Sequence, residues 1–394
     1  MKIAFFSNCY LPYLSGISLS IKSFRDELEK LGHTVFVVGP KYPGHKELDP
    51  QILSFPSLPA TYPGYRFVLP FSQQVYKHLR EEKIDLIHVH QPFGVGLAAW
   101  WFARRLKIPV VYSFHTLFSR YVHNAPFVPQ KLAKFIVAKY LTFFCNLVDT
   151  IVVPSEMVRR LLVLRKVKTS IKVIPTGINI EEIHTAKQPE TRNPKHETRK
   201  RHNLPSTAKI LLYTGRVSAE KNIPFLLKAF KTIRQEEKEV YLLLVGGGPK
   251  LAEYKQLAKD LDSQIIFVGQ KPHLEVLQYC LGADLFVYAS VTETQGLVLS
   301  EAKACGLPVV AVFGGGISDV VASGIDGYLV PQTQAKFVEH VLRLLRDDSL
   351  RQKIAHKARE DALERFSAAV VAKKMESVYN SLIPRGGLSS EISI

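Results

Sequence analysis

The sequence predicts an α/β chain of two halves, each a parallel sheet flanked by helices. Three observations carry this. Short apolar runs alternate with helix-length segments, the pattern of βαβ units. Several runs are apolar at nearly every position, as a strand buried on both faces of a parallel sheet requires. The alternation breaks once, across the polar stretch HTAKQPETRNPKHETRKRHN (184–203), and then restarts. With 394 residues and 46% hydrophobic content, the chain has room for two ordinary domains with a core in each.

KIAFFS (2–7) opens the first half and precedes a helix near 16–31. TVFVVGP (34–40) follows, then LIHVH (86–90), PVVYSFH (109–115), TIVVPS (150–155) and IKVIPTG (171–177). The second half runs through KILLYTG (209–215), VYLLLVG (240–246), QIIFVG (264–269), LFVYAS (285–290), PVVAVF (308–313) and YLVP (328–331). The expected division is an N-terminal domain over 1–178 and a C-terminal domain over 179–365. Residues 366–394 are expected to form a helix returning to the N-terminal domain, plus a tail. Two such halves leave a cleft, and open parallel sheets bind ligands beyond the carboxyl ends of their strands.

Composition narrows the function. MKIAFFSNCYLP offers no signal-peptide cleavage site. The apolar run at 93–103 is roughly half the length of a bilayer span. The four cysteines are far apart in sequence, which reads as free thiols in a reducing cytosol. A net charge of +17 calls for an anionic partner: nucleic acid, a phosphate-bearing substrate or an acidic membrane surface. Between residues 115 and 172 ten Lys/Arg face two acids, Asp149 and Glu156, which reads as a localised basic patch. A generally basic surface is the alternative.

Strand ends hold the candidate chemistry. In YTGRVSAEKN (213–222), Arg216 and Lys221 flank the turn before a helix. Two cations beside a helix N-terminus make an anion site suited to a diphosphate; alternatively Lys221 pairs with Glu220. VGGGPKLAEY (245–254) lacks the spacing of a phosphate loop or a dinucleotide fingerprint, so a tight turn competes with close approach to a ligand. Pro249 reads as the first residue of a helix. In VTETQGLVLSEA (291–302), Glu293 falls in a loop and Glu301 in a helix over 297–305 that Gly306 stops. An unbroken helix would hold the two carboxylates about 12 Å apart. That is too far to share a water or a metal, and it exceeds the roughly 5–10 Å of a glycosidase pair. Two grips on one hydroxyl-rich ligand fit better, with the amides of Thr294, Gln295 and Gly296 directed into the cleft.

Glu293 and Glu301, with GRVSAEKN upstream, resemble the retaining nucleotide-sugar transferases of glycosyltransferase family 4, whose fold is the two-domain GT-B type. PYLSGIS (12–18), HVHQP (88–92), SFHT (113–116), VVPSE (152–156), VIPTGIN (173–179), GLPVVAVFGGGISDVV (306–321) and GIDGYLVP (324–331) extend the resemblance over nearly the whole chain. The resemblance implies an α/β GT-B fold of two Rossmann-like domains with a cleft between them. It implies that Arg216 and Lys221 hold the nucleotide diphosphate and that Glu301 binds the ribose hydroxyls. Glu293 would sit at the donor sugar, with the amides of Thr294, Gln295 and Gly296 beside it. Gly16, in the loop after the first strand, would let the backbone approach the phosphate, and His115 would lie near the donor sugar and acceptor hydroxyl. The base would rest near Gly269, Gln270 and Lys271. The family often has Glu-Gly-Phe-Gly where this chain has Glu293-Thr-Gln-Gly296, Asp where Asn179 stands and Glu where Asp319 stands; the last two positions receive no role. Taken alone, His115 reads as an ordinary strand-end histidine. His88 and His90 share a face, but with no third ligand they read as structural or cleft-edge residues. Cationic side chains and a helix dipole can neutralise the leaving diphosphate, so no metal and no permanently bound cofactor is implied.

The implied reaction moves a hexose from a nucleotide diphosphate to a hydroxyl with retention, by front-face substitution. Within the family, TETQG with YLPYLSGIS looks like the bacterial transferases that glucosylate diacylglycerol from UDP-glucose. A stretch at 128–148 mixes Lys131, Lys134 and Lys139 with Phe135, Phe143 and Phe144, as a helix lying in an anionic bilayer interface would. The same pattern would arise if its apolar face packed on its own domain. The loop TLFSRYVHNAPF (116–127) is suited to an acyl chain. The expected setting is cytoplasmic, peripheral to the inner face of the cell membrane. Partners would be a nucleotide sugar, a lipid acceptor and an anionic membrane surface, and no nucleic acid, since no nucleic-acid motif accompanies the charge. A transferase acting on phosphatidylinositol or a soluble sugar, and a non-catalytic nucleic-acid-binding protein, are the alternatives.

Overall fold

The computed structural model describes residues 1–13, 16–45, 47–59, 66–70, 72–117, 129–187, 193–259, 261 and 263–383. Contacts gather these into two compact units, one of residues 1–177 with 368 onward, the other of residues 178–367.

The first unit contains β1 (Lys2–Phe6), α1 (Gly16–Lys30), β2 (Thr34–Pro40), β3 (Ile52–Phe55), β4 (Ser57–Pro59), β5 (Arg66–Val68), α2 (Gln73–Glu81), β6 (Leu86–Val89), α3 (Val95–Leu106), β7 (Val110–Ser113), α4 (Gln130–Cys145), β8 (Thr150–Val153), α5 (Glu156–Leu164) and β9 (Ser170–Val173). Its main sheet is parallel, in the order β3-β2-β1-β6-β7-β8-β9. The alternation of side chains along β1 shows why the run is apolar throughout. Ile3 and Phe5 enter one buried layer with Ile21 and Leu28 of α1; Ala4 and Phe6 enter the other with Ala99 and Phe102 of α3.

The second unit contains α6 (Ile180–Ala186), α7 (Pro194–Arg201), β10 (Lys209–Thr214), α8 (Ile223–Glu236), β11 (Val240–Val245), α9 (Leu251–Lys259), β12 (Ile265–Gly269), α10 (His273–Gly282), β13 (Leu285–Tyr288), α11 (Leu297–Ala304), β14 (Val309–Val312), β15 (Gly327–Val330), α12 (Gln334–Arg346) and α13 (Asp348–Phe366). Its sheet is parallel in the order β12-β11-β10-β13-β14-β15. In both units the main sheet winds outward, then reverses from its first strand, as in doubly wound Rossmann-like folds. The reversal places a switch point between β1 and β6 in one sheet and between β10 and β13 in the other. The last helix, α14 (Ala368–Leu382), belongs to the first unit and sends Val371, Met375, Val378 and Tyr379 into the layer that α1 covers.

All twelve strands read from the sequence are present. β3 and the antiparallel β4–β5 pair were not read. Each has three or four residues and lies at or beyond a sheet edge, too short for a periodic signal. The helix read as opening at Pro249 opens at Leu251, after a turn. Within unit two a buried ammonium ties three elements together. Lys303 Nζ, on α11, donates to Val320 O at 2.5 Å, Asp326 Oδ2 at 2.8 Å and Asp361 Oδ2 at 2.6 Å.

Candidate active site

The switch point of the second sheet brings the loops after β10 and β13 together, and with them Lys221 and Glu293. Lys221 stands just before α8 and donates to Glu293 Oε1 at 2.5 Å and to the Tyr288 hydroxyl at 3.3 Å. Tyr288 Oη and Ser290 Oγ each lie 2.8 Å from the same carboxylate oxygen. Burial alone would push the Glu293 carboxyl up; the Lys221 ammonium and the Ser290 and Tyr288 hydroxyls outweigh it and hold it below its usual range. Burial, reinforced by Glu293, pushes the Tyr288 phenol well above its ordinary value, so it stays a donor. Glu220, the alternative partner for Lys221, accepts instead from Ser218 Oγ at 2.6 Å. Arg216 is exposed on the same loop. The arrangement is a cation and a carboxylate fixed to each other at the start of a fourteen-residue helix, where backbone N–H groups and the dipole favour an anion.

The loop 291–296 is shaped by glycines. Gly296 (φ +90°) precedes α11, and a Cβ there would sit 2.9 Å from Leu299 Cδ1. After β14, the Gly315 backbone (φ +61°) runs so close to Glu293 that a Cβ would lie 2.6 Å from the Glu293 carbonyl oxygen. Gly316 N donates to that carbonyl at 2.8 Å. Three consecutive glycines after a strand were visible in the sequence; that they brace Glu293 was not. Thr294 is half-buried and Gln295 buried.

The glycines at 246–248 make a tight turn against the loop after β10. A Cβ on Gly246 would fall 1.8 Å from Gly215 O, and one on Gly248 would fall 2.4 Å from Val217 O. Val217 N donates to Gly247 O at 2.8 Å, and Gly246 N donates to Gly269 O at 2.9 Å. Gly269 ends β12 with φ +83°, and the Gln270 side chain lies against Gly247. Lys271 Nζ is 3.4 Å from Glu275 Oε2.

Glu301 lies on α11, as read, but its carboxylate is already engaged. His273 Nε2 donates to Glu301 Oε1 at 2.9 Å, and His273 Nδ1 donates to Glu182 Oε2 at 2.6 Å. Hydrogen bonds to Glu182 and Glu301 raise the His273 imidazole to about 10, so it is charged at neutral pH. Neither His273 nor Glu182 was singled out from the sequence; nothing local marks them, because three separate helices supply the bridge.

In the first unit, Gly16 is the first residue of α1 rather than part of a loop. His115 is half-buried beyond β7, its Nε2 2.9 Å from His90 Nδ1, with the two rings stacked 5.2 Å apart. His90 stacks in turn on His88, whose Nδ1 meets Tyr379 Oη at 2.6 Å and whose Nε2 meets Ser113 Oγ at 2.7 Å. Burial lowers His115 to about 4 and, with the His115 charge, His88 to about 3; burial also takes His90 well below its ordinary value. The column is therefore neutral at pH 7. Among the described residues no three His, Cys, Asp or Glu side chains form a metal site, and the four cysteines are buried free thiols.

The basic-aromatic stretch forms α4, which is apolar on two faces. Ala133, Leu141, Phe144 and Cys145 are buried, while Leu132, Phe135, Ile136 and Phe143 are about half exposed. Phe144 is therefore not a surface residue as expected: its ring stands edge-on against Tyr112 in the core. Lys139 lies over the exposed Phe135 ring. Lys131 and Lys134 are exposed beside it. No described helix is long and apolar enough to cross a membrane. Most of the expected acyl-chain loop, residues 118–127, lies outside the described residues, as do Arg120 and the tail from 384.

Comparison with known proteins adds relatives to this geometry. The profile described as Glycosyltransferase Family 4 matches residues 14–182, and that described as Glycosyl transferases group 1 matches residues 194–361. Alpha-monoglucosyldiacylglycerol synthase of Streptococcus pneumoniae is 36% identical over 319 residues, covering 79% of this chain and 71% of the relative. The protein of the same name from Acholeplasma laidlawii is 28% identical over 403 residues, 98% of each chain. Among solved structures, Anabaena HepE in complex with UDP-glucose superposes with a TM-score of 0.75 at 20% identity, over 97% of this chain and 100% of that one. Two doubly wound sheets, two profiles and a relative at this identity lead to one assignment: the chain belongs to the family 4 glycosyltransferases, with the two Rossmann-like domains of the GT-B architecture.

Proposed function

We propose that this enzyme transfers glucose from UDP-glucose to the free hydroxyl of diacylglycerol, with retention, at an anionic membrane surface on the cytoplasmic side. The observation that carries the donor half is the Lys221–Glu293 pair at the switch point of the second sheet. In the reaction the bond from the anomeric carbon to the phosphate oxygen breaks, and a bond to the acceptor oxygen forms on the same face. The acceptor proton passes to the departing phosphate oxygen. Negative charge grows on that oxygen, and Lys221, Arg216 and the N-terminus of α8 stabilise it. Glu293, held ionised by Lys221, orients the sugar hydroxyls. Glu301 accepts from the ribose, beside a base resting on residues 269–271. The role that the resemblance gives His115, toward the sugar and acceptor, is part of the same proposal, and its imidazole is neutral at pH 7. No step calls for a metal.

The acceptor half rests on the two relatives named for monoglucosyldiacylglycerol synthesis and on α4. Its exposed Leu132, Phe135, Ile136 and Phe143 beside three lysines suit a bilayer interface, where each lysine near an anionic leaflet contributes about 1 kcal/mol. A yeast relative named as a phosphatidylinositol N-acetylglucosaminyltransferase subunit is 22% identical over 410 residues, so phosphatidylinositol is the second acceptor to try.

The test is incubation with radiolabelled UDP-glucose and vesicles of anionic phospholipid carrying diacylglycerol or phosphatidylinositol. Label in glucosyldiacylglycerol is expected, increasing with anionic lipid. Label in the inositol lipid alone would move the acceptor, and label in neither would end the lipid reading.

A further inference from the structure

We infer that His273 is a positioning residue for the nucleotide ribose: by bridging Glu182 and Glu301 it fixes the Glu301 carboxylate and cancels one of the two acidic charges there. The inference rests on the reading that Glu301 takes the ribose hydroxyls.

The bridge is built, not incidental. Its members come from the first turn of α6, the first residue of α10 and the middle of α11. Glu182 is itself anchored: the Asn179 side chain caps α6, with Oδ1 accepting from the amides of Glu181 at 3.0 Å and Glu182 at 3.3 Å, and its Nδ2 is 3.4 Å from Glu182 Oε1. The chain of contacts therefore runs Asn179, Glu182, His273, Glu301. Asn179, which had no role by resemblance, acquires one as its outer anchor. The Glu301 side chain is only 13% exposed, so a shift of its neighbours would be felt at the carboxylate.

Two physical arguments make histidine suited to this place. An imidazolium offers two donors at fixed positions on a rigid ring, so it can bond one carboxylate at each edge. His273 takes Oε1 of Glu301, and Oε2 is the oxygen that would accept from a ligand hydroxyl. The second argument is charge. Two ionised carboxylates beside a bound nucleotide diphosphate would repel it; the cation between them leaves a single net negative charge. His273 also opens α10 two residues after Lys271, so the segment expected to carry the base and the carboxylate expected to carry the ribose are mechanically joined.

The test is calorimetric binding of UDP and 2′-deoxy-UDP to the full chain and to His273→Ala, Glu182→Gln and Glu301→Ala, with far-UV circular dichroism confirming the fold of each. Wild type should prefer UDP over the deoxy form by about tenfold or more, as loss of a hydrogen bond to a charged group implies. In His273→Ala, UDP affinity should fall by about tenfold and the preference for the 2′-hydroxyl should shrink toward unity. Glu182→Gln keeps an acceptor for Nδ1–H, and its preference should stay close to wild type. If His273→Ala keeps the full preference while Glu301→Ala abolishes it, the positioning role is wrong and the ribose reading stands. If Glu301→Ala also binds both nucleotides as wild type does, or wild type binds neither, the ribose reading has failed first. Should His273→Ala not fold, His273→Gln, which retains one donor, carries the same comparison.

Discussion

Replacing Lys303 by methionine isolates the cost of a buried charge. The Lys303 side chain is fully buried, and its ammonium has three acceptors within 2.8 Å. Methionine keeps most of the apolar stem, so the cavity term is small and the loss is electrostatic. Asp326, 2% exposed, would be left with one oxygen unpaired; Asp361 is 22% exposed and keeps Arg365 Nη1 at 3.0 Å. One uncompensated buried carboxylate costs about 3–5 kcal/mol, and the partial rescue of Asp361 places the expected loss near the lower end. Adding Asp326→Asn removes the orphaned charge yet keeps an acceptor for Ala322 N, now at 2.8 Å from Oδ1. It should recover about 1–2 kcal/mol. Urea unfolding by far-UV circular dichroism reads both changes. Trp100 and Trp101, the two tryptophans of the chain, lie on α3, so their fluorescence follows the first unit separately. A loss under about 1 kcal/mol in Lys303→Met, or a double variant no more stable than the single, would refute the reasoning.

Lys221→Ala should lower turnover by about 10²–10³, as removal of a preorganised donor does, and should also lower the melting temperature, because Glu293 loses its cation and keeps the Tyr288 and Ser290 hydroxyls; near-normal turnover would remove the phosphate clamp. Gly315→Ala should depress turnover strongly, because its Cβ would collide with the Glu293 carbonyl; full activity would show that the loop yields without moving the carboxylate. The raised His273 value adds stability that is complete below its unfolded value near 6.5 and is lost as pH rises through about 10. Discounted for the third of the side chain that solvent reaches, the loss is about 1–2 kcal/mol. Melting temperatures of wild type and His273→Gln should therefore converge as pH rises toward 10, and parallel curves would contradict the bridge.

The strands were legible because burial on both faces writes itself into consecutive apolar residues. The places of Lys221 and Glu293 after strand ends, and of Glu301 on the helix that follows, were legible from their spacings; their roles belong to the proposal. What escaped has a common cause. The Tyr288 and Ser290 hydroxyls on Glu293 sit in a strand and the loop after it, where their types carry no marker. The His273 bridge joins residues 91 and 28 positions apart in sequence. Phe144 was misassigned because lysines and aromatics in one helix do not reveal which apolar face turns inward; α4 has two. Arg199, buried on the polar stretch where the alternation breaks, donates to Asp284 Oδ2 at 2.7 Å and to Ala208 O at 2.6 Å, so part of that stretch is core.

The interlocked glycines at 246 and 248 have a consequence for how this protein can change. The turns after β10, β11 and β12 hold one another through main-chain atoms, with contacts too close to admit a methyl group. On the proposed reading, a nucleotide arriving there meets a floor that is already rigid, so little affinity is lost to ordering it. The side chains standing on that floor can be exchanged without disturbing its shape, which lets substrate preference drift while the platform beneath remains the same.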